Sequence, residues 1–224
     1  MTRIVAIRPE PGLASTIAAG RKLGLAITGA PLFEIRPLDW TAPDPASVDA
    51  LLIGSANAIR HGGGQLEQFL GKPAYVVGKQ TKTACEDAGI RVAATGEGGL
   101  QSVLDAVPRP IRLLRISGKD HVPLEAPEDV SITTIIAYES VALPFEPKAL
   151  GEGEERTIVL LHSAVAAEHF ASECDRLGLA RSAIELAAFG PRIASSAGKG
   201  WADIHVAERP RDADLLAMVR GLCQ

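Results

Sequence analysis

The sequence predicts an α/β protein with two similar lobes, each a parallel sheet flanked by helices, joined by two extended crossing strands. Three observations support this prediction. Short apolar runs recur along the 224 residues, stretches with helical periodicity separate them, and one strand-to-helix junction is written twice. Continuous apolar runs are typical of parallel strands covered on both faces. Repeated strand–helix units therefore predict open parallel sheets.

The individual elements follow from local patterns. Ten apolar runs are predicted strands: 3–8, 27–38, 50–55, 74–78, 91–94, 111–117, 132–143, 157–163, 185–190 and 203–208. Helices are predicted for ASTIAAGRKLG, AVAAEHFASECDRLG and RDADLLAMVRGL, where apolar residues recur at i, i+3, i+4 and i+7. Glycine, which readily adopts the left-handed conformation of a helix end, closes several helical stretches, at Gly24, Gly89, Gly178 and Gly200.

The repeated junction indicates an internal duplication. LLIGSANAI contains Ser55 and VLLHSAVAA contains Ser163, and each places a serine between an apolar run and a run of small residues. Three pairs of landmarks have nearly equal spacings: Ser55 and Ser163 differ by 108 positions, Gly78 and Gly190 by 112, and Arg8 and Arg115 by 107. Such self-similarity predicts two copies of one β/α layout.

Two predicted strands, 27–38 and 132–143, are about twice as long as ordinary strands. A strand that leaves one sheet and continues toward another domain would have this length. The sequence therefore predicts a discontinuous first lobe, residues 1–36 with 142–224, and a second lobe, residues 37–141. We expect a cleft between the lobes.

Composition narrows the possible functions. A net charge of −4 and an aromatic content of 4% argue against a nucleic-acid surface. No apolar run approaches the ~20 residues needed to cross a bilayer, and the N-terminus does not resemble a signal peptide. The three cysteines are far apart and are interpreted as buried thiols in a reducing cytoplasm. Local clusters of arginine and backbone amides can still bind a small anion.

Candidate binding residues follow the predicted strands. In open α/β sheets, ligands bind beyond the carboxyl ends of the strands, where amides at helix starts favour carboxylate or phosphate. The candidates are Arg8, Ser55, Ala56, Asn57, Gly78, Lys79, Thr81, Arg115, Ser117, Gly118, Lys119, Ser163, Ala164, Val165, Gly190 and Arg192. For each serine alone, helix capping is the stronger interpretation. Each arginine could equally form a surface salt bridge.

Other motifs give weaker evidence of a binding or catalytic site. The run His61–Gly64 lacks the pattern of a phosphate loop and is interpreted as a flexible helix end or turn. His162 and His169 lack a metal-binding spacing, and no GxSxG nucleophile motif is present. His121 is a weak ligand candidate. Tyr138 lies in a crossing segment, where its phenol could donate a proton or simply pack on a neighbouring strand.

The order of these motifs resembles the uroporphyrinogen-III synthase family. The resemblance covers nearly the whole chain, through Arg8-Pro9, LLIGSANAI, VVGKQTKTACEDAG, LLRISGKD, IIAYES, IVLLHSAVAAEHF and AAFGPRIASSAGKGW. Two departures are visible. Gly54 precedes Ser55 where the family usually has threonine. After Gly190-Pro191 the family usually has a threonine one or two positions on, and Arg192 and Ile193 occupy these positions here.

The resemblance implies an activity in porphyrin and heme biosynthesis. The linear tetrapyrrole hydroxymethylbilane would be cyclised to uroporphyrinogen III, with inversion of ring D and loss of water. Tyr138 matches the family's candidate catalytic residue. We expect no metal or organic cofactor, a small-molecule substrate, no nucleic-acid or membrane partner, and a cytoplasmic monomer. A two-lobed protein that binds or senses a small anion without catalysis remains an alternative, and a nucleotide-dependent transferase is a weaker one.

Overall fold

A computed structural model describes residues 2–151 and 156–223 of the chain. The strands are β1 (Arg3–Ala6), β2 (Ile27–Gly29), β3 (Phe33–Pro37), β4 (Ala50–Ile53), β5 (Ala74–Val77), β6 (Val92–Gly96), β7 (Ile111–Gly118), β8 (Val130–Ala142), β9 (Thr157–Leu161), β10 (Ile184–Ala188) and β11 (Asp203–Val206). The helices are α1 (Gly12–Lys22), α2 (Ala56–Arg60), α3 (Lys79–Asp87), α4 (Leu100–Asp105), α5 (Ala164–Leu177), α6 (Pro191–Ser196) and α7 (Asp212–Leu222).

The chain divides into two units. Unit 1 contains Met1–Glu34 and Val141–Gln224, and unit 2 contains Ile35–Ser140. The chain passes from one unit to the other inside β3 and again inside β8. The predicted strand 27–38 is divided, because β2 joins the sheet of unit 1 and β3 joins the sheet of unit 2. Pro31 lies in the break and has no N–H to donate to a sheet.

Unit 1 is built on a five-stranded parallel sheet in the order β11-β10-β9-β1-β2. One face packs on α5, where Phe170 is fully buried between Phe145 and Trp201. The other face packs on α1 and α7 through residues such as Leu13 and Leu215. All five residues of β9 are buried, which explains why this strand is continuously apolar.

Unit 2 is built on a six-stranded sheet in the order β3-β8-β7-β4-β5-β6, and the pairs from β8 to β6 are parallel. One face carries a core that includes Phe69 and Cys85. The opposite face packs on α4 through Val103 and Leu104. The predicted fold class, parallel sheets flanked by helices, is confirmed in both units.

The two sheets repeat one strand order. The order β11-β10-β9-β1-β2 can be aligned with the order β6-β5-β4-β7-β8. In this alignment the two strands that precede the repeated serines, β9 and β4, occupy the same position. The third predicted landmark is wrong by two positions. Leu52, three residues before Ser55, pairs with Arg115, whereas Leu160, three residues before Ser163, pairs with Ala6. Arg8 therefore corresponds to Ser117.

The cysteines divide into two environments. Cys85 and Cys174 are buried, and burial raises the pKa of each thiol to about 11, so both stay protonated near neutral pH. Cys223 is exposed, which corrects the interpretation of all three as buried. It follows the last residue of α7 and lies beyond the helical face that packs on the sheet. No described helix is long and apolar enough to span a bilayer.

An ion pair links Arg156, the residue before β9, to Glu185 on β10, and it predicts a specific pH dependence. The Arg156 guanidinium donates to both carboxylate oxygens of Glu185 at 2.6 and 2.7 Å, and His205 Nε2 lies 2.9 Å from Oε2. The hydrogen bond from Arg156 lowers the pKa of Glu185 to about 2 from 4.5. Because the folded-state pKa is depressed, this stabilisation is complete above the unfolded pKa and is lost as pH falls toward about 2.

Replacing Glu185 with glutamine is expected to make the free energy of unfolding depend less on pH in the acid range. Denaturant unfolding across a pH series should show less loss of unfolding free energy between pH 4.5 and 2 than in the wild type. Glu168→Gln is the control, because Glu168 is exposed and forms no ion pair within the described ranges. An unchanged slope in Glu185→Gln would contradict the assignment.

Candidate functional site

The predicted binding residues other than Arg115 lie at one edge of each sheet. Within a unit the strands are parallel, so the segments that follow them lie at the same edge. In unit 2 this edge carries the segments that follow β4 and β5, with Ser55, Ala56, Asn57, Gly78, Lys79 and Thr81. It also carries the end of β7 and the residue after it, with Ser117, Gly118 and Lys119. In unit 1 it carries Arg8, Ser163, Ala164, Val165, Gly190 and Arg192, after β1, β9 and β10.

Both repeated serines cap helices. Ser55 Oγ accepts the N–H of Asn57 at 3.2 Å at the start of α2, and Ser163 Oγ accepts the N–H of Ala166 at 3.2 Å at the start of α5. The capping interpretation is thus confirmed for both residues. Each cap contributes about 1 kcal/mol to stability. The remaining amides of the first turn of α5 belong to a helix of 14 residues, whose dipole favours an anion.

Exposed cations lie at both edges. Lys79 is the first residue of α3, and Arg192 is the second residue of α6. Within residues 2–151 and 156–223, neither side chain has a carboxylate at ion-pairing distance, so both charges face solvent. Thr81 differs, since it is only 4% exposed. A contact between its hydroxyl and a ligand would require the side chain to become accessible.

Arg8 already has an acidic partner. Its Nη1 donates to Asp212 Oδ2 at 3.0 Å and to Thr16 Oγ1 at 3.2 Å, and the Thr16 hydroxyl donates to Asp212 Oδ1 at 3.1 Å. Asp212 opens α7 and Thr16 lies on α1, so the cluster joins two helices to the end of β1. A substrate carboxylate at Arg8 would therefore share the guanidinium with Asp212.

His162 completes this cluster. Its Nε2 lies 3.0 Å from Asp212 Oδ1, and its ring meets the edge of Phe189 at a centroid distance of 4.4 Å. Burial lowers the pKa of His162, and the nearby Arg8 charge lowers it further against the effect of Asp212. Burial acts to raise the pKa of Asp212, but His162 and Arg8 together hold it below its usual value. The expected structural role of His162 agrees with this packing.

Arg115 is placed differently from the prediction. We expected it at a strand end, but it lies inside β7, three residues before Gly118, and is 5% exposed. Its Nη2 donates to the carbonyl of Val122 at 2.8 Å, and its Nε has no partner among the described atoms. Burial lowers the pKa of Arg115, while the nearby Tyr138 phenol acts in the opposite direction. Arg115 was expected at a strand end because it was matched to Arg8 in the repeat, whereas it corresponds to Ala6.

The segment after β7 is also not a helix start. Ser117 and Gly118 belong to the strand, and no helix begins between Lys119 and β8 in the described chain. The N–H of Lys119 donates to the carbonyl of Tyr138 at 2.9 Å, and Lys119 Nζ lies 3.0 Å from Glu139 Oε2. That hydrogen bond raises the pKa of Lys119. The sheet continues through the positions where free amides were expected.

Tyr138 lies on β8 opposite Gly118, at the carboxyl edge of β7. Its half-buried ring lies 6.2 Å from the ring of His61, centroid to centroid, at an angle of 42°. His61 ends α2, and the following turn is fixed by a hydrogen bond of 2.8 Å from Trp40 Nε1 to the carbonyl of Gly62. Burial, and then the charge of Arg60, lowers the pKa of His61.

Sequence reasoning missed Thr16, Asp212 and His61 as neighbours of the predicted site.

His121 Nδ1 lies 2.9 Å from the carbonyl oxygen of Gly118 and is the donor in that contact, since a carbonyl only accepts. Among the described residues, no group of three or more His, Cys, Asp or Glu side chains could hold a metal ion.

Comparisons with known proteins agree with the fold and the motifs. The uroporphyrinogen-III synthase HemD family model matches residues 14–217. Uroporphyrinogen-III synthetase from Helicobacter pylori superposes with a TM-score of 0.67 at 16% identity, covering 99% of this chain and 100% of that one. A mutant uroporphyrinogen III synthase from the extremely thermophilic bacterium Thermus thermophilus gives 0.51 at 17% identity, with coverages of 100% and 98%.

The two kinds of comparison carry different weight. At these identities the structural matches show the shared fold, whereas the family model covers most of the sequence. No curated protein sequence matches the chain significantly. The chain therefore belongs to the uroporphyrinogen-III synthase HemD family.

Proposed function

We propose that the chain is a cyclising lyase that converts hydroxymethylbilane to uroporphyrinogen III, with inversion of ring D and release of water. The observation that carries this proposal is the family match over residues 14–217. The family acts on a small-molecule substrate, so the alternative of a two-lobed protein that binds a small anion without catalysis is not favoured. We further propose that the protein acts as a cytoplasmic monomer, without a nucleic-acid or membrane partner.

The reaction requires the enzyme to position the substrate rings more than to activate them chemically. Loss of the hydroxyl from hydroxymethylbilane gives an electrophilic azafulvene, and the pyrrole rings are already nucleophiles. Uncatalysed closure gives the uninverted isomer, so the enzyme must direct the substituted carbon of ring D to attack. A spiro intermediate then forms and rearranges. Holding reacting atoms in one geometry can lower a barrier by several kcal/mol without a covalent catalyst.

Tyr138 is the proposed general acid. A phenol O–H can donate a proton or a hydrogen bond to the departing hydroxyl. Its ring lies at the carboxyl edge of β7, and ligands of open α/β sheets generally bind at this edge. The nearby His61 has a pKa below its usual value, so it is neutral near neutral pH and does not add a competing positive charge.

The substrate carboxylates are proposed to bind the exposed cations and helix starts. Lys79 and Arg192 are exposed and have no carboxylate partner in the described ranges, so their charges are available to a polyanionic ligand. The first turns at Ser55, Gly78, Ser163 and Gly190 supply backbone amides. Arg8 and Lys119 already pair with Asp212 and Glu139, which makes them weaker candidates than Lys79 and Arg192.

Replacing Arg192 with alanine is expected to raise KM for hydroxymethylbilane about tenfold with little change in kcat. A charge-assisted hydrogen bond contributes about 1.5–3 kcal/mol, and each 1.4 kcal/mol is tenfold in affinity. Steady-state kinetics at low and high salt check this, because screening should shrink the effect of an exposed charge. Arg220→Ala is the matched control: Arg220 is an exposed arginine in the last turn of α7. An equal KM in both variants would contradict a binding role for Arg192.

The proposed activity is tested by incubating the purified chain with hydroxymethylbilane and separating the product isomers. Isomer III, formed faster than the background reaction, is the expected result. Isomer I alone, formed at the background rate, would leave only the non-catalytic binding protein.

A further inference from the structure

Gly118 contacts the ring of Tyr138 too closely for any side chain. A β-carbon at Gly118 would lie 2.6 Å from Cε2, 2.9 Å from Cζ and 3.2 Å from the phenol oxygen of Tyr138. Real β-carbons essentially never approach a non-bonded heavy atom of another residue closer than 3.0 Å. The ring therefore lies directly on the backbone of Gly118, and only glycine allows this approach.

An irregularity in β8 sets the direction of the tyrosine. Ser117 pairs with Ile136, but the next residue, Gly118, pairs with Tyr138, so Ala137 has no opposite residue on β7. A β-bulge of this kind changes the direction of the following side chain. In a regular strand, neighbouring residues face opposite sides of the sheet. Here Ala137 and Tyr138 both contact the core cluster on one face.

The bulge is closed by the next hydrogen bond, from the N–H of Lys119 to the carbonyl of Tyr138 at 2.9 Å. The ring of His61 lies near the Tyr138 ring, at a centroid distance of 6.2 Å. His61 is itself held by the turn that Trp40 fixes through Gly62. The Tyr138 ring is therefore limited by the backbone of β7 and by the end of α2.

We propose that Gly118 is a positioning residue: its lack of a side chain, together with the bulge at Ala137, fixes the orientation of the Tyr138 phenol. This role differs from the backbone anion contact predicted for Gly118 from the sequence. The catalytic consequence rests on the proposed function, because it assumes that Tyr138 acts on the substrate. The orientation of the ring does not depend on that assumption and is measured separately.

The ring orientation is tested by spectroscopy. The chain contains two tyrosines, so in a Tyr75→Phe background all tyrosine signals come from Tyr138. With ring-labelled tyrosine, Gly118→Ala is expected to shift the NMR signals of Tyr138. Gly71→Ala is the matched control in unit 2, since Gly71 is exposed and a β-carbon there would meet no atom within 4 Å. Unmoved Tyr138 signals in Gly118→Ala would overturn the proposal.

Kinetics test the consequence for turnover. Gly118→Ala is expected to lower kcat by about the same factor as Tyr138→Phe, roughly 100-fold, with KM within about twofold of the wild type. The double variant should be no slower than Tyr138→Phe alone, because both changes act through one phenol. Multiplying losses would overturn the proposal. Shifted ring signals with an unchanged kcat would support the positioning of the ring and contradict the acid role of Tyr138.

A folding defect would still be informative. If Gly118→Ala lowers the melting temperature, adding Tyr138→Ala should restore it, because the second change removes the atoms that the new methyl group displaces. Gly71→Ala combined with Tyr138→Ala should show no such restoration. Failure of Tyr138→Ala to rescue Gly118→Ala would mean that the added methyl group disturbs something other than the ring.

Discussion

Phenylalanine in place of Tyr138 is expected to lower kcat for uroporphyrinogen III formation by about 100-fold while leaving KM nearly unchanged. General acids of this kind contribute about 10²- to 10⁴-fold, and the lower limit applies because positioning carries much of this reaction. The substitution removes one oxygen and retains the ring that packs against Gly118 and His61. Steady-state kinetics with separation of isomers I and III measures both parameters.

Tyr75→Phe is the matched control for this prediction. Tyr75 lies on β5 and contacts the core cluster on the opposite face of the same sheet. Its loss of a phenol oxygen should leave turnover within about twofold of the wild type. Full activity in Tyr138→Phe would remove the acid role while leaving the carboxylate-binding scheme in place.

Truncating Phe170 to alanine is expected to lower the free energy of unfolding of unit 1 by about 3–5 kcal/mol. Phe170 is fully buried, meets Phe145 edge-to-face at 5.0 Å and stacks on Trp201 at 5.5 Å between ring centroids. Its removal leaves a cavity between two aromatic rings in addition to the lost burial. Chemical denaturation followed by tryptophan fluorescence measures the change, since Trp201 belongs to the same cluster.

Val165→Ala provides the comparison on the same helix. Val165 lies in α5 and is 62% exposed, so its truncation should change stability by no more than about 0.5 kcal/mol. A loss below about 1 kcal/mol in Phe170→Ala would show that the site collapses around the missing ring or that the aromatic cluster is not a stability centre.

The strands were predictable because parallel strands are buried on both faces. Each predicted run overlaps a strand of the structure, and the run 27–38 contains two. The fully buried β4 and β9 are continuous apolar segments, which short local windows detect well. The division of 27–38 into two strands was harder to predict, because the run remains mostly apolar on both sides of Pro31.

The site was less predictable, because its contacts join distant parts of the sequence. Arg8 and Asp212 are separated by 204 positions, and no local pattern indicates that α7 begins beside the end of β1. Asp212 in RDADLLAMVRGL has the pattern of an ordinary acidic residue in the first turn of a helix. Likewise, the proximity of His61 to Tyr138 depends on a turn fixed by Trp40, which lies 22 positions before Gly62.

The environment of Tyr138 depends on a one-residue irregularity that leaves no mark in the sequence. IIAYES lies in one predicted strand, and nothing in it indicates that Ala137 has no opposite residue on β7. The repeat was informative about strand order but inaccurate about register, since Arg115 corresponds to Ala6. A shift of two positions moves a side chain from the edge of the sheet into its interior, which is where Arg115 lies.

The most direct measurement is the isomer composition from a single turnover with the enzyme in excess over hydroxymethylbilane. Under these conditions closure in free solution competes poorly, so the product reports how the chain directs ring D. Nearly complete formation of uroporphyrinogen III is predicted for the wild-type chain. A larger share of isomer I is predicted for Tyr138→Phe, because its slower turnover allows closure in solution to compete. Isomer I as the main product of the wild-type chain would contradict the account.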